Sequence, residues 1–159
     1  GKSIDRTIIF AKTKKYHDQL MKEKDLREGV RTYLDEAKQK GLRIGLATSS
    51  NRAWIAPYLE KYNLRHYFDH ITTSDDVEKV KPDPALYLKT VQGLSVDANH
   101  AIAFEDSLNG LTAAKAAGLH CVIVPNQVTQ FLPFSNYDLR LTSMEDVSLD
   151  HVIRTIESR

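Results

Sequence analysis

Residues 101–118 read AIAFEDSLNGLTAAKAAG, a pattern typical of a strand followed by a turn and a helix. The apolar run 101–104 is typical of a buried strand, and two adjacent carboxylates, Glu105 and Asp106, follow it directly. The serine that comes next can cap a helix, and Gly118 can end that helix. A buried strand, a polar turn and a helix in this order predict one repeating unit of a parallel sheet.

The same unit recurs on both sides of this stretch. Further strands are predicted from short apolar runs, at about 42–47, 71–72, 121–124 and 140–141. Further helices are predicted from apolar residues at helical spacing, at about 5–23, 27–40, 52–62, 84–92 and 146–157. Strands that alternate with helices indicate an α/β fold, in which a parallel sheet is covered by helices on both faces.

Composition excludes several classes of protein. The 159 residues, 18.0 kDa in mass, are enough for one compact core. Lys and Arg number 22 against 21 Asp and Glu, so a net charge of +1 gives no general attraction to nucleic acid or to an anionic membrane. The one cysteine, Cys121, lies in an apolar run, where burial is expected, and allows no disulfide within these residues. No apolar stretch in them approaches the roughly 20 residues of a membrane helix, and the cytoplasm is the expected location.

Polar side chains stand where the predicted strands end. Thr48 and Ser49 follow the first of these strands, and their hydroxyls and amides can bind phosphate oxygens. Glu105 and Asp106 follow a later one and offer the hard oxygen ligands that Mg²⁺ prefers. Lys81 lies in a loop between them, where its ammonium could neutralise phosphate charge. Because parallel strands end at one edge of a sheet, we expect these residues to lie at the same edge.

Three segments together resemble the haloacid dehalogenase superfamily, namely 45–50 (GLATSS), 80–84 (VKPDP) and 103–110 (AFEDSLNG). The pattern looks closest to the β-phosphoglucomutase-like subgroup, and it covers at least residues 25–125. The resemblance implies a Rossmann-like core of three α/β/α layers over 25–159. It also implies that residues 1–24 are the end of a helical cap inserted into that core.

The resemblance also implies site residues and an activity. Thr48 would bind the phosphoryl group in transfer, together with backbone amides near Ser49, and Lys81 would contact both the phosphate and the nucleophile. Glu105 and Asp106 would hold Mg²⁺. The implied activity is that of a Mg²⁺-dependent phosphatase or phosphomutase acting on a small phosphorylated metabolite such as a sugar phosphate, through an aspartyl-phosphate.

Substrate choice is less well defined by the sequence. Asn51 and Arg52 come just after the phosphate-binding segment and could reach the substrate. In this family, however, the cap and the residues after the first motif set the choice. The sequence therefore leaves open which metabolite is bound and whether water or a second hydroxyl accepts the phosphoryl group.

The chain departs from the family pattern at the first motif. That motif is a strand that ends in Asp-x-Asp, whose first Asp is the nucleophile, and no apolar strand here ends in this way. Asp5 precedes its apolar neighbours, and Asp75 and Asp76 are adjacent. We therefore expect the nucleophile and the central strand that carries it to come from an N-terminal segment outside this chain, which opens at Gly1 without Met. The chain alone is predicted to be inactive and not to form a stable monomer, because two buried strand edges would stay unpaired.

Two other classes of protein can be weighed against this interpretation. A non-catalytic binding or regulatory module could keep the fold after losing the nucleophile strand. It would be a stable folded domain with weak or no Mg²⁺ binding. A response-regulator receiver also uses acidic residues, a Thr and a Lys, but it needs an acidic pair at its first strand and a phospho-acceptor Asp at its third, and neither is present in that order.

Overall fold

The computed structural model describes residues 24–159 of the chain. Within them, the strands are β1 (Gly45–Ala47), β2 (His70–Thr72), β3 (Ile102–Glu105), β4 (His120–Ile123) and β5 (Leu139–Arg140). The α-helices are α1 (Val30–Gln39), α2 (Arg52–Lys61), α3 (Ala85–Leu94), α4 (Leu108–Ala116) and α5 (Leu149–Glu157). The predicted helix over 5–23 and the predicted cap segment lie outside the described residues.

All strand pairs in the described residues are parallel, as the α/β prediction requires. β1 pairs with β2, and β4 lies between β3 and β5. Each crossover between neighbouring strands passes through helical or loop segments rather than a tight hairpin, which is how parallel strands are joined.

Helices cover both faces of the sheet, and β4 shows this most clearly. Side chains alternate along a strand, so Cys121 and Ile123 point to one face and Val122 to the other. The first two belong to a buried cluster formed with α3 and α4, whereas Val122 belongs to a second cluster formed with α1 and α5. The predicted arrangement of three α/β/α layers is thereby confirmed.

β1 and β3 belong to separate sheets. Within the described residues, no strand lies between them and no ladder joins them. The apolar side chains of Leu46, Ile102 and Phe104 on these two strands are only partly buried. The family resemblance implies a missing central strand between the strand that ends before Thr48 and the one that ends at Glu105. The separation of the two sheets agrees with that expectation.

Two helices begin three residues later than predicted. α1 starts at Val30 rather than near residue 27, because Gly29 has a left-handed φ of 78° and ends the preceding turn. α5 starts at Leu149 rather than near Asp146, because the Asp146 carboxylate accepts the backbone amides of Thr142 and Ser143, both at 2.9 Å. Side-chain hydrogen bonds of this kind hold a turn in place of a helix.

The expected burial of Cys121 is confirmed. Its side chain is fully buried, and burial together with the charge of Glu105 raises the pKa of the thiol to about 12. In the part of the chain that the structure describes, no helix is long and apolar enough to cross a membrane.

Candidate active site

Lys81 connects the two sheets at their carboxyl ends. Its Nζ donates to the carbonyl of Ala47, the last residue of β1, at 2.9 Å, and to Glu105 Oε1, at the end of β3, at 2.5 Å. The lysine side chain is 13% exposed and that of Glu105 7%, so this ion pair is largely shielded from water. The structure thus brings the predicted residues Lys81 and Glu105 together, next to the residue that precedes Thr48.

A tyrosine completes this cluster. The Tyr87 hydroxyl, on α3, donates to Glu105 Oε1, and the Lys81 ammonium lies 3.3 Å from the hydroxyl and 4.6 Å from the centre of the ring. Burial, and then the neighbouring charge of Glu105, hold the pKa of Tyr87 far above its ordinary value. The hydroxyl therefore stays protonated and can act as a donor to the carboxylate at neutral pH.

Glu105 has little freedom to move within the cluster. Its second oxygen, Oε2, accepts from the Ser107 hydroxyl at 3.3 Å. A Cβ atom added to Gly110, in the first turn of α4, would lie 1.8 Å from Oε2. The glycine thus provides the space that the carboxylate fills.

Asp106 points to a different set of partners and is much more accessible, with 45% of its side chain exposed. Its Oδ2 accepts from Asn126 Nδ2 at 2.8 Å and lies 4.0 Å from Arg27 Nη1. Arg27 in turn donates to the carbonyls of Val124 and Pro125, at 2.7 and 2.9 Å, and so ties the loop after β4 to the start of α1.

The donor chemistry at this edge fits Mg²⁺. Two adjacent carboxylates supply hard oxygen atoms, and no described residue donates a hydrogen bond to Asp106 Oδ1, which leaves that atom available for a cation. The described residues contain no group of three or more His, Cys, Asp or Glu side chains placed to hold a metal. Glu105 and Asp106 would therefore need further ligands, such as water, substrate oxygens or another carboxylate.

Thr48 and Ser49 lie at the same edge, directly after β1. The Thr48 amide donates to the Thr72 carbonyl at 3.0 Å, and its Oγ1 accepts the Ser50 amide at 3.1 Å. Ser49 is exposed. The turn thus keeps the Thr48 hydroxyl close to the backbone of the following residues. Its O–H donates to no residue in the part of the chain that the structure describes and can donate to a phosphate oxygen.

The two residues predicted to reach the substrate make structural contacts. Asn51 caps α2, and its Oδ1 accepts the Trp54 amide at 2.8 Å. The backbone amide and the guanidinium of Arg52 donate to Asp75 and Asp76, at 2.9 and 3.1 Å. A substrate role for Asn51 and Arg52 stays a prediction, and any such role must compete with these contacts.

The sequence alone gives no site role to Tyr87, Gly110, Asn126 or Arg27. Asn126 follows β4 at the carboxyl edge, so the rule that pointed to Glu105 could have found it as well. Tyr87 lies on the apolar face of α3, where its spacing is that of a core residue. The contacts of Arg27 span almost a hundred residues of sequence, and no local pattern indicates them.

Comparison with known proteins places the chain in a family. The family model for haloacid dehalogenase-like hydrolases matches residues 2–124. YhcW of Bacillus subtilis is 42% identical over 159 residues, which are 100% of this chain and 72% of that protein. Hexitol phosphatase B of Escherichia coli is 34% identical over 76% of this chain and 54% of its own length.

Solved structures agree with this result. CbbY from Rhodobacter sphaeroides in complex with phosphate has a TM-score of 0.76 and 35% identity, over 83% of this chain and 61% of that chain. A mutant of CbbY is solved with xylulose-(1,5)bisphosphate. β-Phosphoglucomutase from Clostridium difficile shares the fold, with a TM-score of 0.73 at 23% identity, over 84% of this chain and 57% of that chain.

The chain therefore matches only part of these proteins, just over half the length of several of them. The fold agrees with the predicted β-phosphoglucomutase-like subgroup. The chain belongs to the haloacid dehalogenase-like hydrolase family.

Proposed function

We propose that this chain forms most of the active site of a Mg²⁺-dependent phosphoryl-transfer enzyme, a phosphatase or phosphomutase, that acts on a small phosphorylated metabolite such as a sugar phosphate. The observation that carries the proposal is the position of Lys81. Its ammonium lies between the ends of β1 and β3, beside the gap between the two sheets. A strand in that gap would end next to Lys81, Thr48 and Asp106.

The missing chemical group is a nucleophile. We propose that an Asp at the end of a strand in this gap, outside this chain, attacks the phosphorus atom of the substrate. The bond from phosphorus to the leaving oxygen breaks, and an aspartyl-phosphate forms. In the second step water, or a hydroxyl of a second substrate, attacks the same phosphorus and releases the Asp carboxylate. CbbY, solved with phosphate and as a mutant with xylulose-(1,5)bisphosphate, and the relative named hexitol phosphatase B support a small phosphorylated substrate.

The residues of this chain supply electrostatic stabilisation and positioning. Lys81 places a positive charge where negative charge develops on the oxygens of the transferred phosphoryl group, and Thr48 donates a hydrogen bond to one of these oxygens. Glu105 and Asp106 would hold Mg²⁺, which, when bound, screens the charge of the phosphoryl group. Glu105 also fixes Lys81 through their shielded ion pair.

This proposal is tested with a complemented protein, defined as this chain with the part of YhcW outside the match placed before Gly1. We expect it to release phosphate from sugar phosphates or from p-nitrophenyl phosphate in the presence of Mg²⁺ and not in EDTA. Phosphate release is measured colorimetrically over a panel of such substrates. A folded complemented protein that releases phosphate from none of them would overturn the proposal.

Gly110→Ala is expected to lower kcat of the complemented protein by roughly 10- to 100-fold, because the new methyl group displaces the Glu105 carboxylate from Lys81. Thermal stability should also fall, because the displaced carboxylate leaves its shielded ion pair with Lys81. Kinetics and thermal unfolding are measured on the same preparations.

Gly93→Ala is the matched control. It is also a helical glycine, and its new Cβ would lie 2.4 Å from the His70 ring, away from the Lys81 cluster. We expect kcat to be unchanged in this variant. Equal losses of activity in the two variants would show that Gly110 does not act through Glu105.

A further inference from the structure

The side chain of Tyr87 brings one polar atom into an apolar cluster. The residue is 7% exposed and packs with Val91, Leu111 and Ile123 in the core formed by α3, α4 and β4. A phenylalanine would fill the same volume without needing a hydrogen-bond partner. The hydroxyl of a buried tyrosine must be paired, and here its partners are two of the proposed site residues.

The hydroxyl links Glu105 and Lys81 into a closed triangle. It donates its proton to Glu105 Oε1 and accepts from Lys81 Nζ at 3.3 Å, while Lys81 donates to the same Oε1 at 2.5 Å. The tyrosine ring also lies 4.6 Å from the ammonium, in the geometry of a cation–π contact. Lys81 is thus held from three sides: by a carboxylate, by the tyrosine, and by the carbonyl of Ala47.

The geometry points to Tyr87 as a positioning residue that directs the Lys81 ammonium toward the gap between β1 and β3. This inference rests on the proposed function, and it adds a residue that acts through Lys81 and Glu105 without contacting the substrate. Without the hydroxyl, Glu105 Oε1 keeps Lys81 as its single donor among the described residues. The carboxylate and the ammonium are then free to take other relative positions.

Tyr87→Phe in the complemented protein is expected to lower kcat by at least about tenfold with little change in KM, because a displaced ammonium loses most of its effect where charge develops in the transition state. Tyr33→Phe is the matched control. Tyr33 is 6% exposed, and its hydroxyl also has a partner, the part-buried Val147 carbonyl at 2.7 Å, but it lies in the cluster on the opposite face. We expect the control to lose comparable stability and to keep kcat.

A second measurement needs neither Mg²⁺ nor turnover. Acetic anhydride labelling followed by mass spectrometry gives the reactivity of Lys81 relative to Lys115, which is 25% exposed and paired with Asp138 at 2.7 Å. In Mg²⁺-free complemented protein, Tyr87→Phe should raise this ratio by about threefold or more, and Tyr33→Phe should leave it unchanged. If Tyr87→Phe does not unfold cooperatively, Tyr87→Met, which also lacks the hydroxyl, takes its place.

The inference is overturned if the Lys81 labelling ratio of Tyr87→Phe stays below about three times the wild-type ratio. It is also overturned if Tyr87→Phe and Tyr33→Phe have the same kcat. If the wild-type complemented protein proves inactive, the proposed function fails, and the labelling ratio alone decides whether Tyr87 holds Lys81. The two failures are therefore distinguishable.

Discussion

Asp106→Ala is expected to abolish Mg²⁺-dependent turnover of p-nitrophenyl phosphate by the complemented protein, a loss of about 10³-fold or more in kcat/KM, which corresponds to roughly 4 kcal/mol of transition-state stabilisation. Asp106 is the more accessible of the two adjacent carboxylates, with 45% of its side chain exposed against 7% for Glu105. One of its oxygens accepts from Asn126, and none of residues 24–159 donates to the other, which can bind a cation. Initial rates are measured over a series of Mg²⁺ concentrations.

The expected loss is large because the remaining residues cannot replace the ligand. Removal of Asp106 leaves Glu105, whose Oε1 already accepts from Lys81 and Tyr87. Asp97→Ala is the matched control, since the Asp97 side chain is 85% exposed and, among the described residues, forms an ion pair only with His100, at 3.9 Å. That variant should keep wild-type activity. Full activity in Asp106→Ala would refute the proposed metal ligand, and an equal loss in both variants would show that the effect is not specific to the site.

Much of the fold could be predicted because its determinants are local. Ser107 caps α4 by accepting the Gly110 amide at 3.0 Å, and the strand before it and the glycine after the helix lie where the sequence places them. Such signals act within a few residues, so they can be seen in one sequence. The start of α5 differs from the prediction because the Asp146 side chain holds a turn. The residue types that favour such a turn also favour the start of a helix, so the sequence does not distinguish the two.

The site could be predicted only in part, because some of its determinants are not local in the sequence. Thr48, Lys81, Glu105 and Asp106 follow or connect strands, and topology alone brings them to one edge. The contacts that orient them are long-range. Tyr87 is indistinguishable in sequence from a core residue of α3. The hydrogen bond from Asn126 to Asp106 crosses from the β4 loop to the end of β3, a pairing that depends on the folded sheet.

The separation of the sheets leads to a second prediction with a large effect. The 159-residue chain alone should not give a cooperative monomeric unfolding transition, because the facing edges of β1 and β3 lack a partner strand within the described residues. Leu46, Ile102 and Phe104 remain partly exposed on these strands. Fusion of the outside segment, as in the complemented protein, should restore a single transition. Circular dichroism during urea unfolding, together with sedimentation, measures both the cooperativity and the monomeric state.

The same segment supplied as a separate polypeptide provides the sharper test. A segment that binds only the folded chain stabilises it by mass action, by about 2.7 kcal/mol at a hundredfold excess over Kd. A matched segment with prolines in its strand cannot pair with both edges and should have no effect. If the segment fills the gap and also carries the nucleophile, stability and phosphatase activity must rise together as it is titrated. The chain alone could instead unfold in one cooperative monomeric transition that the segment does not change, and it could bind no Mg²⁺. These results would favour the non-catalytic module, because the gap would then be a stable feature of the folded protein.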